Sequence, residues 1–87
     1  MSPADLLNNL GNPVRLQIMG LLSSEGSLCV NDVTDRLGGL QSNISRHLLI
    51  LRDAGAVEVD KDKTKRVYRV KPKALQLVEM AKEAVEA

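Results

Sequence analysis

Apolar side chains recur at intervals of three and four residues in five segments of the chain, a spacing that aligns them along one side of an α-helix. The five predicted helices cover residues 3–10, 13–23, 30–37, 41–52 and 73–86. Between the last two, Val57 and Val59 begin the period-two alternation that is typical of a β-strand. A second strand is predicted at residues 66–70, and the tight connector before it reads DKDKTK.

Residues typical of helix ends mark where these segments begin and stop. Asn12 followed by Pro13 is an N-cap with a first-turn proline, and Gly55 occupies the place of a left-handed residue that closes a helix. Residues 27–28 form at most a minimal strand against the hairpin. The predicted order is α-α-(β)-α-α-β-β-α, a mainly α fold with a small β-hairpin (α+β), arranged as a winged helix-turn-helix.

The fourth predicted helix has one side that packs and one that is free. Its apolar stripe is formed by Ile44, Leu48 and Leu51, whereas Ser42, Asn43 and Arg46 point the other way. A polar-faced helix joined directly to a hairpin is the working part of a winged helix-turn-helix. We therefore expect the chain to bind double-stranded DNA.

Charge is distributed unevenly along the chain, although the formal net charge is only +1. Residues 61–73 carry seven basic side chains and one acidic side chain, so the rest of the chain is net negative. A local positive field of this kind can engage phosphates. A solvated hairpin that uses lysine to protect its edges is the alternative interpretation, and the neighbouring polar helix argues against it.

Composition excludes several classes of function. A chain of 87 residues makes one small domain, predicted to span residues 1–87. Tyr68 is the only aromatic residue, which argues against single-stranded nucleic acid or RNA as the ligand. The single cysteine and the lack of a long apolar run indicate a cytoplasmic protein that does not enter a membrane. One histidine and one cysteine form no recognisable catalytic set, so we expect neither an enzyme nor a cofactor.

Four pieces of the sequence together resemble the ArsR-type family of winged-helix transcriptional repressors. They are LGNPVRLQIMGLL at residues 10–22, SLCVNDV at 27–33, QSNISRHLLILRDAGAV at 41–57, and the hairpin ending in RVYRV. The resemblance extends along nearly the whole chain. It implies a homodimer that sits on an operator, blocks transcription and is released by a signal.

The resemblance also implies which residues meet DNA. The positions of the family's DNA-reading helix correspond in this sequence to Gln41, Ser42, Ser45, Arg46 and His47. The positions of the family's wing correspond to Lys61, Lys63, Lys65 and Arg66. Gln41 can pair bidentately with adenine and Arg46 with guanine or a phosphate, whereas the wing lysines should contribute affinity. The helical angle of His47 places it beside the apolar stripe, so a structural role and a base-reading role both stay open.

Two departures from the family's pattern bear on function. Gly39 and Leu40 stand where members commonly have an apolar residue followed by serine, so the usual N-cap of the reading helix is missing. Metal-sensing relatives carry C-V-C-D where this chain reads Cys29-Val30-Asn31-Asp32, which lacks the second thiolate, and we expect no metal site. A cysteine at a helix N-terminus can be reactive, so redox sensing through Cys29 is a hypothesis.

The order of elements further predicts how the protein assembles. The terminal helices, residues 3–10 and 73–86, are the expected dimerisation elements, and a two-fold dimer should recognise an inverted-repeat operator. Two alternatives stay open. One is a winged helix used for protein contact without specific DNA binding, and the other is a constitutive DNA-binding protein that has no effector.

Overall fold

In the computed structural model of the protein, residues 11–86 are described, and they form four helices and one antiparallel β-hairpin. In chain order these elements are α1 (Pro13–Glu25), α2 (Val30–Leu37), α3 (Gln41–Asp53), β1 (Val57–Asp62), β2 (Lys65–Val70) and α4 (Pro72–Glu86). The winged helix-turn-helix architecture predicted from the sequence is confirmed. The predicted helix at residues 3–10 lies outside the described residues.

Helix α1 begins as its sequence predicts and ends later. The Asn12 side chain accepts hydrogen bonds from the backbone N–H groups of Val14 and Arg15 at 3.0 and 3.2 Å, which satisfies two of the donors that a helix start leaves unpaired. The helix was predicted to end near residue 23, and it continues to Glu25. Gly26 ends it because its φ of 88° is the first to leave the helical region.

The helix-turn-helix is formed by α2, a three-residue turn and α3. Helix α2 has the predicted bounds, and Gly38, with a φ of 81°, ends it by donating to the carbonyl of Thr34 at 2.7 Å. Gly39 also has a positive φ, 91°, which L-residues with side chains rarely adopt. These two glycines let the chain turn sharply into α3.

Strands β1 and β2 pair in register from Val57 opposite Val70 to Asp62 opposite Lys65. The predicted six-residue connector is therefore wrong, because only Lys63 and Thr64 lie between the strands. Lys63 has a φ of 59°, and this left-handed conformation allows the short turn. The second strand consequently begins one residue earlier than predicted, at Lys65.

A two-residue β-bridge joins the second strand of the hairpin to the segment before α2. Leu28, just before α2, donates its backbone N–H to the carbonyl of Tyr68 at 3.0 Å and accepts from the Tyr68 N–H at 2.8 Å. The predicted minimal strand near residue 28 is thus confirmed. Tyr68 itself is 3% exposed, so its ring is part of the core.

One core is shared by all elements of the described structure. Its fully buried side chains include Ile18, Met19, Leu22, Val33, Leu48, Leu51, Val57 and Val78. Helix α4 packs against α1, and Ala74 and Val78 of α4 are 1% and 0% exposed. Leu75 and Met80 of the same helix are exposed.

Candidate nucleic-acid interface

Helix α3 divides cleanly into a packed side and an exposed side. Its apolar stripe of Ile44, Leu48 and Leu51 is buried, as predicted. The side chains predicted to meet DNA are exposed at Gln41, Ser42, Asn43 and Arg46 and half-buried at Ser45 and His47. The polar side of the helix is therefore available to a ligand at its N-terminal half.

The start of α3 has no side-chain cap. Leu40 is the N-cap residue, and its backbone carbonyl accepts from Asn43 and Ile44 at 3.0 and 3.1 Å, but its side chain makes no hydrogen bond. The side chain is 72% exposed, which is the largest exposure among the large apolar residues of the described chain. The missing cap inferred from the sequence is confirmed, and the exposure of Leu40 was not foreseen.

His47 differs from its neighbours because part of its ring is buried. Its Nδ1 atom lies inside the protein and has no hydrogen-bond partner among the described residues. Burial lowers the pKa of His47 below the usual value, and the positive charges of Arg15 and Arg46 lower the pKa further. These surroundings thus favour the neutral form of the imidazole.

The cationic side chains of the wing fall into two groups. Lys61, Lys63, Lys65 and Arg66 are exposed, and none of them forms an ion pair with a side chain that the structure describes. Arg69 instead pairs with Asp60 and with Glu58, the latter at 3.4 Å, on the outer face of the hairpin. The positive field therefore belongs to the hairpin tip. The sequence analysis did not predict this pairing. Its signal in the sequence is the alternation of Glu58 and Asp60 along the strand opposite Arg69.

The reading helix and the wing meet at one cleft. This cleft has a volume of about 210 Å³ and is lined by Cys29, Val30, Asn31, Gln41, Lys65 and Arg66. It thus combines the first residue of α3, the first two residues of β2 and the start of α2. Two cations and two amide side chains face a common space, and this is a chemical environment that suits a phosphate group.

Cys29 and Asp32 form a local pair at the start of α2. The Cys29 thiol lies 3.1 Å from the Asp32 carboxylate, which also accepts from the Cys29 backbone N–H at 3.4 Å. These hydrogen bonds lower the pKa of Asp32, and the nearby positive charges of Arg36 and Lys65 act in the same direction. By accepting from the backbone of the N-cap residue, the Asp32 carboxylate helps to close the start of α2 as in a capping box.

Metal-ligating side chains are not brought together in the described part of the chain. No group of three or more histidine, cysteine, aspartate or glutamate side chains there has a geometry that could hold an ion. Among residues 11–86, no helix is long and apolar enough to cross a membrane.

The fold and the site define a winged helix-turn-helix DNA-binding protein. The model of the arsR family of bacterial regulatory proteins matches residues 12–59. An HTH-type transcriptional regulator of Methanocaldococcus jannaschii, MJ1325, is 40% identical over 67 residues, covering 77% of this chain and 75% of that protein. The chain belongs to the arsR family of transcriptional regulators.

Other relatives have more specific descriptions. The arsenical resistance operon repressor of Escherichia coli is 42% identical over 71 residues, covering 80% of this chain but 60% of that protein's length. The crystal structure of the transcriptional repressor BigR from Xylella fastidiosa superposes with a TM-score of 0.78 at 36% identity, covering 88% of this chain and 79% of that one. The homodimeric winged helix-turn-helix domain of Mb0332 from Mycobacterium bovis gives 0.86 at 26% identity, covering 95% and 77%.

Proposed function

We propose that the protein is a transcriptional repressor that binds an inverted-repeat operator as a homodimer in the cytoplasm and acts by binding alone, without catalysis. The observation that carries this proposal is the cleft in which the start of α3 meets the cationic tip of the wing. Relatives described as repressors, at 36 to 42% identity, support the same conclusion.

The proposed DNA contacts divide by chemistry. On α3, Gln41 reads adenine and Arg46 reads guanine, because these side chains match the hydrogen-bonding groups of those bases in the major groove. The shorter side chains of that helix, at Ser42, Asn43 and Ser45, hydrogen-bond with bases or phosphates. His47 supports the helix from its half-buried position, with its Nδ1 turned into the protein.

The wing contributes affinity that is largely independent of sequence. Its tip cations, Lys61, Lys63, Lys65 and Arg66, contact backbone phosphates and release counterions on binding. They are exposed and are not paired with acidic side chains that the structure describes. Binding should therefore fall steeply with salt concentration.

The proposed dimer forms through the terminal helices. Leu75 and Met80 of α4 are 40% and 58% exposed, which leaves apolar surface for a second copy after Ala74 and Val78 have joined the domain core. Sedimentation of the wild type and of Met80→Glu tests this. A dimer that the substitution dissociates is the expected result, and a wild type that sediments as a monomer would contradict it.

Two kinds of signal, a metal ion and an oxidant, would act at the start of α2, where Cys29 and Asn31 lie. The loss of the second thiolate at Asn31 supports a protein that does not sense metal ions through α2. Redox sensing through Cys29 remains a hypothesis, which peroxide treatment of wild type and Cys29→Ser can decide. Loss of DNA binding in the wild type alone would support it, and unchanged binding in both would exclude it.

The first experiment is a salt titration of binding by fluorescence anisotropy. The protein is mixed with the duplex found upstream of its own gene and with a scrambled duplex of equal length. Preference for the native duplex and a steep loss of affinity with salt are expected. No binding to either duplex at low salt would reject DNA recognition and favour a protein-contact module.

Two arginines of α3 provide a matched pair of variants for this assay. Arg46→Ala should weaken binding to the native duplex by about ten- to hundredfold, since it removes a base or phosphate contact. Arg52, in the last turn, pairs with Asp53 at 3.5 Å and lies away from the N-terminal half of the helix. Arg52→Ala should therefore bind like the wild type, and equal losses in both variants would contradict the proposed orientation.

A further inference from the structure

The turn between α2 and α3 presents one side chain to solvent. Gly38, Gly39 and Leu40 are all exposed, and a Cβ atom built on either glycine would have no heavy atom within 4 Å. The turn is therefore bare backbone except for Leu40, whose side chain is 72% exposed.

Leu40 does not serve the fold in the way that an N-cap residue normally does. Serine, threonine, aspartate and asparagine are preferred there because their oxygens accept from the free N–H groups of the first turn. Asn12 does this for α1, whereas the Leu40 side chain makes no hydrogen bond. An exposed leucine is common on protein surfaces and means little alone. Its position, directly before the polar residues that face the ligand, is what requires an explanation.

Double-stranded DNA offers a specific apolar partner at this position. The first residues of a reading helix lie against base edges in the major groove, and the C5-methyl group of thymine is the apolar group exposed there. We propose that Leu40 contacts the C5-methyl of one thymine in each half of the operator and so selects thymine at that base pair. The inference rests on the proposed function, because it assigns a specificity role within the same interface.

The test removes one methyl group at a time from the DNA. Each thymine of the native upstream duplex is replaced singly by deoxyuridine, which keeps all base-pairing groups, and binding is measured by fluorescence anisotropy. For the wild type, one position in a half-site should lose affinity by about three- to fourfold, as expected for one buried methyl group. For Leu40→Ala, the same replacement should change affinity by less than 1.5-fold, or roughly nothing on this scale.

Two further variants keep the test independent of folding. Leu40→Ser supplies the missing cap, so it should fold at least as stably as the wild type and still lose the sensitivity to deoxyuridine. Leu49→Ala makes the same truncation at an outward leucine two turns along α3, 38% exposed, and should keep that sensitivity.

The outcomes separate this inference from the proposed function. A wild type that prefers the native duplex but shows no sensitive thymine would overturn the role of Leu40 alone. Sensitivity that persists in Leu40→Ser would overturn it as well. A wild type that binds no duplex would overturn the proposed function and this inference with it.

Discussion

The two halves of the hairpin are built from the same pair of strands and have opposite surroundings. At its base, Val57 pairs with Val70, and Tyr68 is 3% exposed and hydrogen-bonded through its backbone to Leu28. At its tip, Lys61 and Arg66 face each other across the strands and are both exposed. The base is held by the core, whereas these two tip side chains face solvent.

This difference separates stability from affinity along a single element. Changes at the base should unfold the protein, because buried aromatic and aliphatic surface is lost there. Changes at the tip should alter binding and leave the fold intact. Arg69 lies between the two, since its pairing with Glu58 and Asp60 neutralises the outer face of the hairpin.

The largest effect is expected at the base. Tyr68→Ala removes the ring that joins the hairpin to the helices and should lower the free energy of unfolding by about 3–5 kcal/mol. This is a large part of the stability of a small domain. Urea denaturation followed by far-ultraviolet circular dichroism measures it. Tyr68→Phe retains the ring and is the control; a loss below about 1 kcal/mol in Tyr68→Ala would contradict the account of the base.

Two arginines of β2 sharpen the contrast at the level of binding. Arg66→Gln removes a tip cation and should weaken DNA binding roughly tenfold at low salt, with the salt slope reduced by about one per protomer. Arg69→Gln makes the same change of charge at an ion-paired position and should leave the slope close to that of the wild type. Anisotropy titrations at several salt concentrations compare the two. Equal salt slopes for both variants would contradict this contrast, because the tip and the outer face would then contribute alike to DNA binding.

A smaller effect is expected at the turn, where stability and affinity should change in opposite directions. Lys63 has a φ of 59°, which is unfavourable for a residue with a side chain. Lys63→Gly should stabilise the protein by up to about 1 kcal/mol, while the loss of one cation weakens DNA binding. Lys61→Gln loses the same charge from an extended strand and should bind more weakly without becoming more stable. Thermal melts and anisotropy on both variants check this.

The smallest expected effect is that of pH on stability. It arises outside the hairpin, because neither half of the hairpin contains a histidine. The folded state lowers the pKa of His47 below its ordinary 6.5. The unfolded chain therefore binds more protons in the window just below 6.5, so stability falls as the pH drops through that window. Urea denaturation at a series of pH values should show this slope in the wild type and a shallower slope in His47→Gln. Throughout this pH range, changes at the base of the hairpin should still affect stability and changes at its tip should still affect DNA binding.

The sequence predicts the helices well because their ends carry local signals. Asn12, Gly38 and Gly55 act through hydrogen bonds and φ values that involve only neighbouring residues. The polar side of α3 follows from helical geometry in the same way. Such features need no knowledge of tertiary contacts.

The misplaced features depend on contacts across the fold. The connector of the hairpin was predicted to be too long, because charged residues 60–62 look like a loop and yet continue the antiparallel pairing. The apolar pattern of the last helix suggested a dimerisation element, and it does not reveal that Ala74 and Val78 are buried where this helix packs on α1. The partial burial of His47 depends on its surroundings in the fold. Its helical angle indicated only that it lies beside the apolar stripe.

The chain contains one tyrosine and no tryptophan, and this gives the buried ring of Tyr68 a practical use. All intrinsic fluorescence of the protein arises from that single ring at the joint between wing and helices. An unlabelled sample therefore carries its own optical reporter of whether the wing is seated. Any ligand that detaches or tightens the hairpin should change the emission, while events confined to the cationic tip should leave it unaltered.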